Sequence, residues 1–269
     1  MNKSFPIGNW LQNIGIIFTA ILAALLLKMF VLDAVYIPSP SMEKTLFTGD
    51  YVLVNKLIYG AKFPGRLPFP NAVIPFLQLP SLKNIRRGDI IIFELPQKDS
   101  SSLSQNLKYF VKRCVALAGD TIAIQNGDVY VNGEVLKLHL DSHPNSIDEF
   151  ESTIVPKKGT TVDITKDNYL DWERLIREEG HTIKMTSTSE IIIDNKPASS
   201  YTIEINYLFV LGDNLNHSYD SRYWGFLPEE NIIGKAMMVY WSLSKLNPSG
   251  GFSGFLSSIR WNRIGRFVD

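Results

Sequence analysis

The stretch from Ile14 to Leu32 reads IGIIFTAILAALLLKMFVL and constrains the fold more than any other part of the sequence. As a helix it covers about 28 Å, close to the hydrocarbon thickness of a bilayer. Lys28 is its only charge. It lies one turn from the end, where its ammonium can snorkel to the interface. A cleaved signal peptide would have a shorter apolar stretch, a stronger basic start and small residues at the exit. Here only Lys3 and the amino terminus are positive, and the exit reads Leu32-Asp33-Ala34. Between a buried core helix and a membrane span, the length favours the span. Flanking charge says little about orientation, with Lys3 on one side and Asp33 on the other.

The remainder is long enough for a substantial domain with an accessory piece, in a chain of 269 residues that is 45% hydrophobic. Formal net charge is zero, so a nucleic-acid partner lacks its electrostatic footprint. Cys114 is the sole cysteine, which excludes an internal disulfide and a multi-cysteine metal site. His139, His143, His181 and His217 are scattered without an HExxH, so no metal is expected.

Past residue 33 the patterns are those of strands: Tyr51 to Val54, Gly88 to Leu95 (GDIIIFEL) and Tyr109 to Leu117. Asn126-Gly127 and Asn132-Gly133, flanked by IAIQ, DVYV and EVLKL, predict a meander of hairpins. Further strands are expected at Ser189 to Asp194, Tyr201 to Ile205, Tyr207 to Leu211 and Ile232 to Trp241. A helix is expected from Asn168 to Glu179, with an apolar stripe of Tyr169, Trp172, Leu175 and Ile176. The fold class is thus mainly β, antiparallel, with an N-terminal transmembrane helix and an inserted α+β subdomain. The chain divides into a tail and anchor (1–33), a first core part (34–138), an insert (139–200), a second core part (201–246) and a basic aromatic tail (247–269). The core contains a proline-rich loop at 63–80, which either dips into the bilayer surface or packs on the core. The tail, with Arg260, Arg263 and Arg266 among aromatics, suits a membrane interface or a short covering helix.

Three segments carry candidate chemistry. Tyr36 to Leu46 reads YIPSPSMEKTL, and Ser41 lies nine residues past the apolar run. Pro38 and Pro40 are expected to hold this stretch extended and out of helix. A serine in a Pro-Ser turn is commonly structural. In YFVKRCVAL, alternate residues put Phe110, Lys112, Cys114 and Ala116 on one face and Tyr109, Val111, Arg113 and Val115 on the other. Both faces are largely apolar. A lysine there must pair, snorkel out or lose its charge, and desolvation would make it a base near neutral pH. The third segment, Gly212 to Gly225 (GDNLNHSYDSRYWG), is a polar, turn-rich site-loop candidate.

In order behind an apolar anchor, YIPSPSMEKTL, RRGDIIIF, YFVKRCVALAGD and GDNLNHSYDSRYWGFLPEENIIGKA resemble the bacterial type I signal peptidases. The matching blocks cover about a third of the chain. The resemblance implies a largely antiparallel β fold with a Ser-Lys dyad, cleaving signal peptides from exported preproteins through an acyl-enzyme, without a cofactor. It implies Ser41 as nucleophile and Lys112 as neutral general base, with Ser39 and the Ser41 backbone N–H forming the oxyanion hole. Ser218 would orient the lysine, and Asp220 and Arg222 would form a structural ion pair. Ile37, Pro38, Met42, Leu46 and Phe110 would line small substrate pockets. It further implies a single-pass protein of the bacterial cytoplasmic membrane with its catalytic domain outside the cytoplasm. Two departures stand out. Lys44 replaces the usual proline, and Asn214-Leu215-Asn216-His217-Ser218 stands where the family reads Asn-Arg-Asp-Asn-Ser. The alternatives are a hydrolase using His217 with Asp213 or Asp220, a self-cleaving repressor-like Ser-Lys protease, and a non-enzymatic single-pass β protein that binds peptides or envelope partners.

Overall fold

The computed structural model describes residues 7–60, 80–95, 109–137, 149–244 and 251–268, with first-helix side chains described at 13–25, 27 and 28. The proline-rich stretch 63–80 falls outside these residues, apart from Pro80. Helix α1 (Ile7–Phe30) has 24 residues and starts well before the apolar run. Its apolar side chains, such as Phe18 at 66% and Leu25 at 58%, are exposed. Among the described residues no helix is long and apolar enough to cross a membrane. The expected span ended at Leu32, but that residue opens a strand. Leu32 to Tyr36 finds an edge on the sheet, and the ladder of hydrogen bonds there outweighs another turn of helix.

The elements then run β1 (Leu32–Tyr36), β2 (Asp50–Asn55), β3 (Ile90–Phe93), β4 (Phe110–Ala116), β5 (Thr121–Gln125), β6 (Asp128–Val131), β7 (Glu134–Val135) and β8 (Phe150–Ile154). After these come β9 (Thr161–Asp163), α2 (Tyr169–Glu178), β10 (Ile183–Met185), β11 (Ile191–Ile193), β12 (Lys196–Pro197) and β13 (Ser200–Thr202). The chain closes with β14 (Tyr207–Leu211), α3 (Ser221–Trp224), β15 (Leu227–Pro228), β16 (Ile232–Ser242) and α4 (Gly251–Ser258). A seven-stranded sheet in the order β1-β2-β16-β3-β4-β14-β15 forms the main layer, and every neighbouring pair is antiparallel. A second sheet, β7-β6-β5-β8, contains the expected meander. Its turns have positive φ at Asn126 and Gly127 and again at Asn132 and Gly133, which is why Asn-Gly is needed there.

The main sheet is buried on both faces. Ile90 and Ile92 join one apolar cluster with Val52, Val54, Met42 and Leu46, while Ile91 and Phe93 join another with Cys114, Val210 and Trp224. That is why GDIIIFEL shows no alternation. The alternation expected along β4 holds at its start, where Val111 and Phe110 enter opposite clusters. It ends at Val115 and Ala116, which share a third cluster beside the bulge between Phe209 and Val210. In that third cluster the stripe of α2 (Tyr169, Leu175, Ile176) packs with Ile122 and Ile124 of β5.

The C-terminal segment is fastened to β16. Leu243 bridges Ile259, and Met238 bridges Phe267. Arg263, only 5% exposed, turns inward and pairs with the fully buried Asp50, donating from Nη2 to Oδ2 at 2.5 Å. Its guanidinium also lies 4.1 Å from the Phe47 ring centroid and donates to the Thr45 carbonyl at 3.0 Å. Arg263→Ala leaves the carboxylate with only Ser242, the Phe47 N–H and Arg260 at 3.9 Å. The expected cost is about 3–5 kcal/mol, read as a lower urea midpoint.

Candidate active site

Ser39 is extended (φ −130°, ψ 157°), and a single 3-10 turn then runs over Pro40–Met42. The expectation of an extended stretch held out of helix is therefore corrected at Pro40. Proline fits the first position of a helical turn, because its missing N–H has no partner there anyway. The turn folds back on itself, with the Leu46 N–H donating to the Met42 carbonyl at 2.8 Å. Met42 and Leu46 sink into the core at 1% and 0% exposure and hold Ser41 in place. Lys44 takes φ 85°, in the left-handed region. Proline, fixed near −65°, cannot take that conformation, so the lysine in place of the family's proline goes with a turn of different local geometry.

Lys112, on β4, is 4% exposed and its Nζ lies 2.8 Å from Ser41 Oγ. Burial pulls its pKa down to about 8; the charges of Asp220 and Asp213 oppose the shift and that of Arg222 assists it. Ser39 Oγ is 3.3 Å from Ser41 Oγ, and either hydroxyl can donate. Ser218 Oγ is buried but has no hydrogen-bond partner, so it makes no hydrogen bond to Lys112. It stands close by, against Gly212.

Two buried Arg–Asp pairs frame these groups. Arg222 Nε donates to Asp220 Oδ1 at 2.8 Å, and Nη2 donates to the Leu215 carbonyl at 2.6 Å. Arg113 donates twice to Asp213, at 2.7 and 2.8 Å, and to the Gly88 carbonyl at 2.8 Å. The Thr45 hydroxyl donates to Asp213 at 2.5 Å, linking this pair to the turn that carries Ser41. Both aspartates are thus held by arginines, and His217 Nδ1 instead meets Asn214 Oδ1 at 3.3 Å. No His–Asp couple forms among these groups.

A cleft of about 180 Å³ opens over Ser41. Ile37, Pro38, Met42, Phe110, Tyr109 and Val111 line it together with His217 and Tyr219. Leu46 does not line it, contrary to expectation. Its backbone hydrogen bond to Met42 turns it into the core behind the cleft.

The model for the family described as "Signal peptidase, peptidase S26" matches residues 9–241. The chain belongs to that family. It is similar to signal peptidase I of Aquifex aeolicus, 30% identical over 241 residues, covering 84% of this chain and 82% of the relative. It is also similar to signal peptidase I of Pseudomonas aeruginosa, 30% identical over 251 residues, covering 88% and 75%. A crystal structure of a signal peptidase I from Enterococcus faecalis aligns with 58% of this chain and 98% of that one, at 22% identity and a TM-score of 0.28, which carries no weight for the fold.

This signal peptidase is a serine endopeptidase, and several residues that build its site were not singled out from the sequence. Asn214 donates its N–H to the Ser41 carbonyl at 3.1 Å and its side-chain amide to the Pro40 carbonyl at 3.3 Å. Gly212 leaves no room for a side chain, since a Cβ there would stand 2.3 Å from Ser218 Oγ and 2.5 Å from the Ser41 carbonyl oxygen. One signal was available: two cations side by side on a buried strand require acids nearby, and GDN supplies one. Gly212→Ala must displace the turn that carries Ser41. It is expected to lower kcat/KM by about 100-fold and stability by about 1–3 kcal/mol, measured by preprotein cleavage and urea unfolding.

Proposed function

We propose that Ser41 and Lys112 form the reacting pair of this signal peptidase. The observation that carries this reading is the 2.8 Å contact between a buried amine and a buried hydroxyl. Uncharged Lys112 accepts the Ser41 Oγ proton as Oγ attacks the scissile carbonyl. The oxyanion then receives the Ser39 hydroxyl and the Ser41 N–H, donors of a kind worth about 3 kcal/mol each in other hydrolases. Lys112 returns the proton to the leaving amine, and water releases the acyl group by the same path in reverse. Ser218, beside Gly212 and within the same enclosure, is the residue to orient the ammonium when it forms. Asp220 and Arg222 hold the loop that carries it. Ile37, Pro38, Met42 and Phe110 form the side of the cleft that admits small side chains. Leu46 acts behind it as a support. The step balances with these side chains and water alone.

Helix α1 serves as a single-pass anchor in the bacterial cytoplasmic membrane, with the catalytic domain outside the cytoplasm. Two facts support this: the apolar exposure of its side chains and the brief link Val31 to Ser39 between helix and site. The substrates are preproteins whose signal segments lie in the same bilayer. A non-enzymatic peptide-binding role leaves the buried, uncharged amine beside the hydroxyl without a purpose.

Ser41→Ala and Lys112→Ala should each lower preprotein cleavage in detergent by roughly 10⁴-fold or more. The wild-type kcat/KM should climb about tenfold per pH unit on the acid side and level off above pH 8, because only the neutral amine can accept the proton. Stability should follow the same group. The folded pKa is depressed from 10.5 to about 8, so the unfolded chain holds the extra proton between those values and stability rises with pH across that window. Below pH 8 the buried ammonium costs about 3 kcal/mol. Lys112→Met should therefore be inactive yet about 1–3 kcal/mol more stable at pH 7, after losing the Ser41 contact. Stabilities of the two proteins should cross between pH 8 and pH 10.5, with wild type the more stable above the crossing.

A further inference from the structure

The lining of the cleft has two unlike sources. One is the apolar set from the Ser41 segment and β4 with the residue before it. The other is the loop that follows β14, from which His217 and Tyr219 line the same space as Ser41 and Lys112. Burial along this loop is uneven in an informative way. Leu215, Ser218 and Asp220 turn inward, and His217 and Tyr219 point outward. Tyr219 is 48% exposed, and its ring stacks on that of Tyr223, with centroids 5.6 Å apart and planes at 23°.

This exposed aromatic pair rests on a rigid base. Arg222 lies 5.3 Å from the Tyr223 ring centroid. The same guanidinium is tied to the fully buried Asp220 and donates to the carbonyls of Leu215 and Ser218, the residues that bracket the outward bend. His217 is held from the other direction, its N–H and ring nitrogen both facing Asn214. Asn214 in turn grips the Ser41 carbonyl. The wall is therefore fixed relative to the reacting hydroxyl, and its aromatic face is presented without an ordering cost when a ligand arrives. Neither side chain is needed for core packing, since both stand in solvent.

We infer, given the Ser41–Lys112 reading above, that Tyr219, backed by Tyr223 and flanked by His217, is a specificity-determining surface for the peptide flanking the scissile bond. It takes an aliphatic or aromatic side chain of the substrate, within three residues of that bond, against the Tyr219 ring. His217 offers its ring as a polar partner to the peptide backbone passing over it. Large side chains excluded by the apolar set are accepted on this surface. Discrimination in this enzyme then has two components: a steric one against bulk at the small pockets and an attractive one for bulk at a flanking position.

The test uses the full chain in detergent with peptides that share one small-residue core, placing Gly, Leu or Phe at each of three flanking positions on either side of the scissile bond. Wild type should prefer Leu or Phe over Gly at one position by about five- to tenfold in kcat/KM, the scale of one aromatic contact. Tyr219→Ala should reduce that ratio to below about twofold, with the loss falling on KM for the Leu and Phe peptides rather than on kcat. Tyr219→Phe should keep the wild-type ratio, which separates loss of the ring from loss of the fold. Absence of any such preference in wild type, or its survival in Tyr219→Ala, overturns the assignment. Ser41→Ala runs in parallel: if it still cleaves, the Ser41–Lys112 reading fails, whereas an inactive Ser41→Ala beside an unchanged Tyr219→Ala ratio removes only the aromatic wall.

Discussion

The proposed mechanism depends on making one amine easy to deprotonate. Lys112 is 4% exposed in a region that also holds two arginines and two aspartates. Charge balance there is already complete without it. Arg113 engages Asp213, and Arg222 engages Asp220, each through two nitrogens. Arg222 works with burial against the ammonium, and the carboxylates of Asp220 and Asp213 work in its favour without outweighing burial. Desolvation then decides the outcome and lowers the pKa. A single unpaired carboxylate in the same place would retain the ammonium and remove the base. The ion pairs thus serve the reaction by being closed upon themselves.

The same pairs hold the nucleophile turn. Thr45 is bound at both ends: its hydroxyl by Asp213 and Arg113, its carbonyl by Arg263. Met42 and Leu46 anchor the turn from below. Asn214 holds the Ser41 carbonyl from the facing loop, and Gly212 permits that loop to come near enough. A hydroxyl fixed in this way loses little entropy on reaction, which accounts for a serine placed on a short 3-10 turn between two core anchors. It also explains why the C-terminal segment, 218 residues distant in sequence from Thr45, belongs to the support of the site.

Much of this arrangement was legible in residue patterns, and the rest was not, for identifiable reasons. The strands of the main sheet announce themselves because β-branched runs such as Ile90–Phe93 must be buried on both faces. The Asn-Gly turns require positive φ, which few other residue pairs accept. Strand β1 was hidden because Leu32 to Tyr36 continues an apolar run, and only its partner Asp50–Asn55 makes it a strand. Residue pairs far apart in sequence, Asp50 with Arg263 and Arg113 with Asp213, leave no local mark on either segment. Pro40 was misread because the same fixed φ that bars proline from a helix interior suits it to a helix start. Leu46 was misplaced because proximity in sequence to Ser41 does not say on which side of a turn a side chain emerges.

A cleft of about 180 Å³ is small beside the 300–1,000 Å³ or so common for ligand pockets. A methyl-sized side chain buried there gains about 0.8 kcal/mol, so small pockets select mainly by refusing bulk. Such a site needs other sources of affinity if it is to hold a peptide long enough to react. An extended chain can gain backbone hydrogen bonds along neighbouring strand segments. With α1 as the proposed anchor, a substrate tethered in the same bilayer by its own apolar segment meets Ser41 at a raised effective concentration, with little demand on the contacts in the cleft. The proposed anchor and the aromatic wall answer one physical problem, that of recognising a bond whose flanking side chains are too small to bind tightly.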